Sequence, residues 1–331
     1  MNADVTKFGA YMKRPFRLAV GVALLISLTW AAAKEPLRHF ELKVESNKFW
    51  ELVPKDSKLE LVASGMGFTE GPVWDPAGFV YVSDEVLNKI FRIYPDGRKQ
   101  ELISLGDPDG NTYDEHRQLI DCASVLRAVI RIKTDGTYTV LADRYQGKRL
   151  NSPNDVVIGP DGAIYFTDPT SDLPKNQKQE LDFKGVFRLD AQGQLRLLTK
   201  DLTEPNGLAF SPDGKRLYVD DSAQRNIRVY DFQPDGTLRN GRIFSKEPGG
   251  KGEGVPDGMK LDRAGNLYVT GPGGIWIWDS DGNHLGTIIL PEQPANLAWG
   301  DSDLKTLYIT ATASLYKLKT SAPGFVPYLA K

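Results

Sequence analysis

Six short stretches of this chain place an oxygen-bearing side chain where a loop gives way to an apolar strand. They read TEGPVWD from Thr69, PDGNTYD from Pro108, SPNDVVIG from Ser152, EPNGLAFS from Glu204, VPDGMKLD from Val255 and PANLAWG from Pro294. Aligned, they present Glu70, Asp109, Asn154, Asn206, Asp257 and Asn296, each with a side-chain carboxylate or amide oxygen. In a toroidal repeat, equivalent positions converge on the axis, and an all-oxygen set there is a site for a hard cation. Glu70 and Asp257 bring two negative charges; Asn154 and Asn206 bring neutral carbonyl oxygens. That donor set fits one divalent ion, Ca²⁺ first, with Mg²⁺, Mn²⁺ and Zn²⁺ as the other candidates. Asp109 and Asn296 read as neighbours of the site, and the texture of the last stretch, P-A-N rather than P-N, is offset by one residue.

The elements that must position these residues are short strands. The junctions recur every 40–50 residues or so, the period of propeller blades. After each junction come an apolar strand, a polar turn and a second strand: PAG before FVYVSD, PDG before AIYFTD, PDG before KRLYVDD, RAG before NLYVTG. Third strands follow, such as KIFRIY, GVFRLD and IWIWD. The alternation in Lys89-Ile90-Phe91-Arg92-Ile93 has the period of two that a half-buried strand requires. Asp96-Gly97, Asp135-Gly136, Asp161-Gly162, Asp213-Gly214, Asp235-Gly236 and Asp281-Gly282 are hairpin turns by this grammar. The segment Lys58 to Ser64 looks like a fourth strand that precedes the first junction, while the last repeat runs out after LYKLK. The expectation is an all-β, six-bladed β-propeller of four-stranded blades, with an N-terminal strand closing the last blade. The polar insertion from Pro169 to Phe183 is a candidate lid or rim loop.

Composition narrows the chemistry. Hydrophobic content of 40% and charged content of 25% are those of a globular protein, and a net charge of -2 gives no electrostatic case for nucleic acid or an anionic membrane. A single cysteine, Cys122, excludes an intrachain disulfide and a zinc–thiolate cluster. The three histidines, His39, His116 and His284, lie far apart, which argues against a Ser-His-Asp triad. Lys13, Arg14 and Arg17 precede an apolar run from Leu18 to Leu28, and Ala31-Ala32-Ala33 follows: a secretory leader over residues 1–33, with Met12 as an alternative start. The apolar run is short for a membrane span, although an uncleaved anchor is the second reading. A periplasmic or secreted protein is expected, with residues 34–57 as an extension outside the ring, including a short helix at NKFWELV, and 58–331 as the propeller.

With EGPVWD at Glu70, RLNSPNDVV from Arg149, PNGLAF from Pro205 and PDGMKLD from Pro256, the chain resembles the senescence marker protein (regucalcin), gluconolactonase and luciferin-regenerating enzyme family, most of all its bacterial gluconolactonase-like members. The resemblance runs from Leu59 to about Leu318. It implies a six-bladed propeller with one divalent metal in the channel, ligands Glu70, Asn206 and Asp257, and Asn154 on the metal or on the substrate. It also implies a lactonase, with Asp257 as general base and a small lactone or ester as substrate; Asn154 and Asp109 are the substrate-side candidates. Family members of the gluconolactonase type often carry Cys-Glu-His in the second blade, where this chain has Cys122-Ala123-Ser124, and an Asn where it has Asp109. Both departures bear on substrate choice. Two other readings stand beside the lactonase: a binding propeller for a sugar or protein partner, with a structural metal or none, and a metal-dependent esterase or phosphotriesterase-like hydrolase on the same site.

Overall fold

Burial falls from strand to strand within each repeat, and that gradient sets their order from the axis outward. Thr69–Asp75 is buried along nearly its whole length, whereas Lys99–Ser104, three strands later, is largely exposed. A strand flanked by neighbours on both faces must be apolar throughout, and an outermost strand need not be. The computed structural model describes residues 38–250 and 252–329; the expected leader lies outside them.

Among the described residues the strands form six antiparallel blades. Their innermost strands are Thr69–Asp75, Pro108–Tyr113, Val156–Ile158, Pro205–Phe210, Met259–Leu261 and Pro294–Gly300. The last blade is completed by Leu59–Ala63, which pairs with Ser314–Lys319 (Leu59 opposite Leu318), so the ring is closed by a strand from the N-terminal side, as expected. Glu41–Val44 adds a fifth strand to the outer edge of blade five, against His284–Ile289. One turn of helix, Phe49–Leu52, follows it, and Phe49 is fully buried.

The core lies between blades. Tyr165 of blade three packs edge-on against Phe210 of blade four at 4.9 Å, and Phe210 meets Phe232 at 5.0 Å. Each such side chain removed from water contributes about 1.5–3 kcal/mol, so the blades hold one another at fixed angles. The hairpin turns fall where the Asp-Gly pairs predict them, with left-handed glycines such as Gly136 (φ 83°) and Gly162 (φ 76°). Beyond Lys319 the chain does not stop: it crosses the underside of the ring, bridging Asp262 to Gly324 and ending in a turn at Pro327–Leu329. No described helix is long and apolar enough to cross a membrane.

Candidate functional site

Each innermost strand begins with a bulge, and register through it shows which residues are equivalent. Thr69 pairs with Asp84, and Pro294 with Ala311. The residue matching Glu70 in the last blade is therefore Ala295, and Asn296 lies one step further down the channel. The ring expected to carry six oxygens carries five: Glu70, Asp109, Asn154, Asn206 and Asp257. The layer below holds Gly71, Gly110, Asp155, Gly207, Gly258 and Asn296.

Four of those six are glycines because the next blade presses on them, with its backbone at Gly71, Gly110 and Gly207 and with the Asn296 side chain at Gly258. A Cβ on Gly207 would lie 1.9 Å from the Asp257 carbonyl oxygen. Unlike the hairpin glycines, Gly207 has no left-handed backbone; it is required by proximity. Only in blades three and six does this layer carry side chains, and both are functional-group bearers.

Glu70 is buried at 3% exposure. One of its oxygens, Oε2, accepts from the Gly71 amide at 2.7 Å and from the Asn296 side-chain amide at 2.9 Å. The other, Oε1, is buried with no partner. Asn296 is itself held: its Oδ1 accepts from the Leu297 amide at 2.8 Å and from Lys260 Nζ at 3.2 Å. Asn154 donates to Asp109 Oδ2 at 2.7 Å and reaches Asp172 Oδ2 at 3.4 Å. Ser124 Oγ donates to the Pro153 carbonyl at 2.7 Å and approaches Asp109 Oδ2 at 3.4 Å.

The electrostatics are those of crowded carboxyls. Burial, then the Asp155 charge, pushes the Glu70 carboxyl up to about 7, against the opposing pull of its hydrogen bonds and of Lys260. Burial raises Asp257 well above the ordinary range, followed by repulsion from Glu70, Asp155 and Asp172; Asn206 beside it partly offsets this. Asp109 is raised by burial, then by Glu85 and Glu70. Glu85, at the mouth, is pushed up to about 10 by burial and by Glu70, Asp172, Asp107 and Asp257. Asp107 rises to about 6 through burial and Asp172. Glu70, Asp109, Asn154 and Asp257 are thus brought to one place, with Asn206 alongside.

Among the described residues, no group of three His, Cys, Asp or Glu side chains forms a metal-holding cluster. The expected set has only two such side chains, Glu70 and Asp257, and completes itself with amides. Its fit to a hard cation rests on two observations: the partnerless buried Oε1 of Glu70 and the mutual repulsion of the surrounding carboxyls, both of which a positive ion would relieve.

Several participants escape a reading of the junctions alone. Asp155 follows Asn154 in the same motif; its position one layer down is set by the bulge. Lys260 sits where the other blades have Val73, Thr112, Val157, Ala209 and Ala298. Asp172 comes from the Pro169–Phe183 insertion, which forms part of the rim and is pinned: fully buried Arg127 donates to the Leu150 carbonyl at 2.6 Å and to the Lys178 carbonyl at 3.2 Å, and Lys184 pairs with Glu204. Ser124 touches the site from the position where the family pattern has His.

Comparison with known proteins agrees with this architecture. Residues 68–313 match the model of the SMP-30/Gluconolactonase/LRE-like region. The chain is 36% identical over 303 residues to a gluconolactonase of Zymomonas mobilis, covering 80% of this chain and 82% of that one. A gluconolactonase structure from Xanthomonas campestris superposes with a TM-score of 0.79 at 33% identity, covering 84% of this chain and 94% of that one. A calcium-binding regucalcin from Agrobacterium tumefaciens, at 19% identity and a TM-score of 0.67 over 80% of this chain and 97% of that one, shares the fold.

Proposed function

Because the chain belongs to the SMP-30/gluconolactonase/LRE-like family and is built as its gluconolactonase-like hydrolases are, we propose that it is a lactone hydrolase that depends on a divalent cation held by Glu70, Asn154, Asn206 and Asp257. The observation that carries the cation requirement is Glu70: a buried carboxylate with one oxygen tied down twice and the other left without a donor. Calcium suits an all-oxygen set with two charges and two amides; magnesium, manganese and zinc are the alternatives.

A bound cation would supply Lewis-acid polarisation of the lactone carbonyl and a more acidic water. The chain's own residues do the rest. Asp257, half-buried at the channel mouth, takes the proton of the attacking water as general base. Asn296 and the Gly71 amide fix Glu70 so that Oε1 is the oxygen left available. Asp109, whose proton affinity is raised by burial and then by its acidic neighbours, shares Asn154 Nδ2 with Asp172, and so fixes the orientation of the Asn154 amide. Ser124, which stands where the family pattern has a larger side chain, lies 3.4 Å from Asp109 Oδ2 and biases which lactone fits.

The test is hydrolysis of a panel of aldonolactones and simple aromatic esters, followed as acid release. Activity should vanish with EDTA, return with calcium or another divalent ion, and be absent from Asp257→Ala. An Asp257→Ala enzyme close to wild type would sink the assignment. Export is part of the same proposal: the basic and apolar residues before Ala33 support a leader, and the mature N-terminus of the protein recovered from the periplasm should lie near residue 34.

A further inference from the structure

Below the acidic ring the channel narrows to a cavity of about 50 Å³. Each blade contributes one wall residue at the same register position: Val73, Thr112, Val157, Ala209, Lys260 and Ala298. A neighbouring residue of each inner strand lines it too, and one part of the wall belongs to no blade. It is Phe325, Val326, Pro327 and Tyr328 of the C-terminal segment.

That segment is bound to the ring at several separate points. The Arg263 amide donates to the Pro323 carbonyl at 3.0 Å, the Gly324 amide to Leu304 at 2.8 Å and the Phe325 amide to Leu261 at 2.9 Å. The Tyr328 hydroxyl donates to the Trp74 carbonyl at 2.8 Å, and its ring meets Tyr113 edge-on at 5.2 Å. These contacts span blades five, six, one and two. Gly324 lies flat on Trp299: a Cβ there would fall 1.7 Å from the indole Cγ.

We propose that the C-terminal segment is the floor of the channel, so that substrate, product and cation all exchange through the acidic mouth alone. On the measure that gives 50 Å³, one water needs about 10–15 Å³; the cavity holds a few waters and no lactone. The floor also covers part-buried Lys260 from below. A charge screened less by water acts more strongly on its neighbours, here on Asn296, Glu70 and Asp155. This inference stands on the seating of the tail and does not depend on the reaction assigned above.

The experiment is acylation of the folded protein with a small water-soluble amine reagent, with each lysine followed by peptide mass spectrometry. In the intact chain Lys260 should react slowly and exposed Lys133 quickly. In Gly324→Ala, and in a chain truncated after Pro323, Lys260 should react at least about tenfold faster while Lys133 is unchanged, as expected when a local segment is released. Equal Lys260 rates in all three proteins, or a Lys260 as fast as Lys133 in the intact chain, would overturn the proposal. Acceleration at every lysine would mark loss of the fold; Tyr328→Ala, which removes the ring contact and the hydroxyl but inserts no clash, then decides by the same criterion.

Discussion

At the mouth of the channel burial, and after it the charge of acidic neighbours, raises the proton affinity of Glu70, Glu85, Asp107, Asp109, Asp172 and Asp257; at the floor, Phe325, Val326 and Tyr328 close on apolar inner strands with Lys260 as the one charged wall residue. The mouth is a place where the folded chain is worse off than it need be. The floor is a place where burial and satisfied hydrogen bonds hold the same strands together. The difference teaches where stability and function are kept apart in this ring: the blades are fixed by their flanks and by the tail, which leaves the top of the channel free to hold charges that repel. Each experiment below asks whether the two ends really differ in this way.

The largest effect is expected at the mouth. Glu70→Gln removes one of the two ligand charges, and loss of a buried charged partner costs about 2–5 kcal/mol, so cation affinity measured by calorimetry should fall roughly a hundredfold or more. The same substitution removes a repelling charge, so in EDTA the variant should melt no lower than wild type. A variant that loses both affinity and cation-free stability would show that Glu70 is a structural carboxylate, and the contrast with the floor would collapse.

A second test uses pH. Glu70 is raised from 4.5 to about 7 in the folded chain. A carboxyl that holds its proton more tightly when folded favours folding at low pH, and that contribution is lost as pH rises from about 4.5 through about 7. Asp168 is also raised to about 7, by burial, but it lies away from the mouth and caps the loop before blade three by accepting from the Asn151 amide. Both should weaken the cation-free protein between pH 5 and 8. A cation relieves the ligand carboxyls, Glu70 among them, but not Asp168, so the gain in melting temperature on adding calcium should be larger at pH 8 than at pH 5, with a residual decline that Asp168→Asn reduces. An equal gain at both pH values would mean that the cation does not compete with the Glu70 proton.

Gly207→Ala probes the boundary between the two ends. With its Cβ 1.9 Å from the Asp257 carbonyl oxygen, the next blade must shift, and overpacking of that kind costs about 1–3 kcal/mol. Because the shifted backbone carries Asp257, hydrolysis should fall by more than the melting temperature suggests. A hairpin glycine such as Gly193, with open space around its Cβ but φ at 79°, should lose about 1 kcal/mol on the same change and no activity.

The ring was legible in the sequence because blade architecture repeats, and repetition turns weak local signals into a strong one. Glu70, Asn154, Asn206 and Asp257 could be aligned without a structure because the strands after them share one grammar. Asn296 could not, since a bulge moves a residue by one position without altering the hydrophobic pattern around it. Lys260 sits in an apolar strand where nothing local announces a channel-facing cation. Glu85 and Asp172 come from turns between strands, and which turns reach the mouth is decided by blade geometry rather than by residue type. The tail carries no such signal: Ala322 to Leu329 has neither strand periodicity nor a motif, and its contacts are with residues as far away as Trp74.

The smallest expected effect is the most discriminating about independence. Tyr328→Phe keeps the ring against Tyr113 and removes only the hydroxyl that donates to the Trp74 carbonyl at 2.8 Å. One neutral hydrogen bond of this kind contributes about 1 kcal/mol, so the melting temperature should drop slightly. Cation affinity should not change, because the floor packs the inner strands without touching the carboxyls above them. If calorimetry instead showed affinity falling along with stability, the strand carrying Trp74 would be transmitting the loss to Glu70 at its other end, and mouth and floor would have to be treated as one coupled unit.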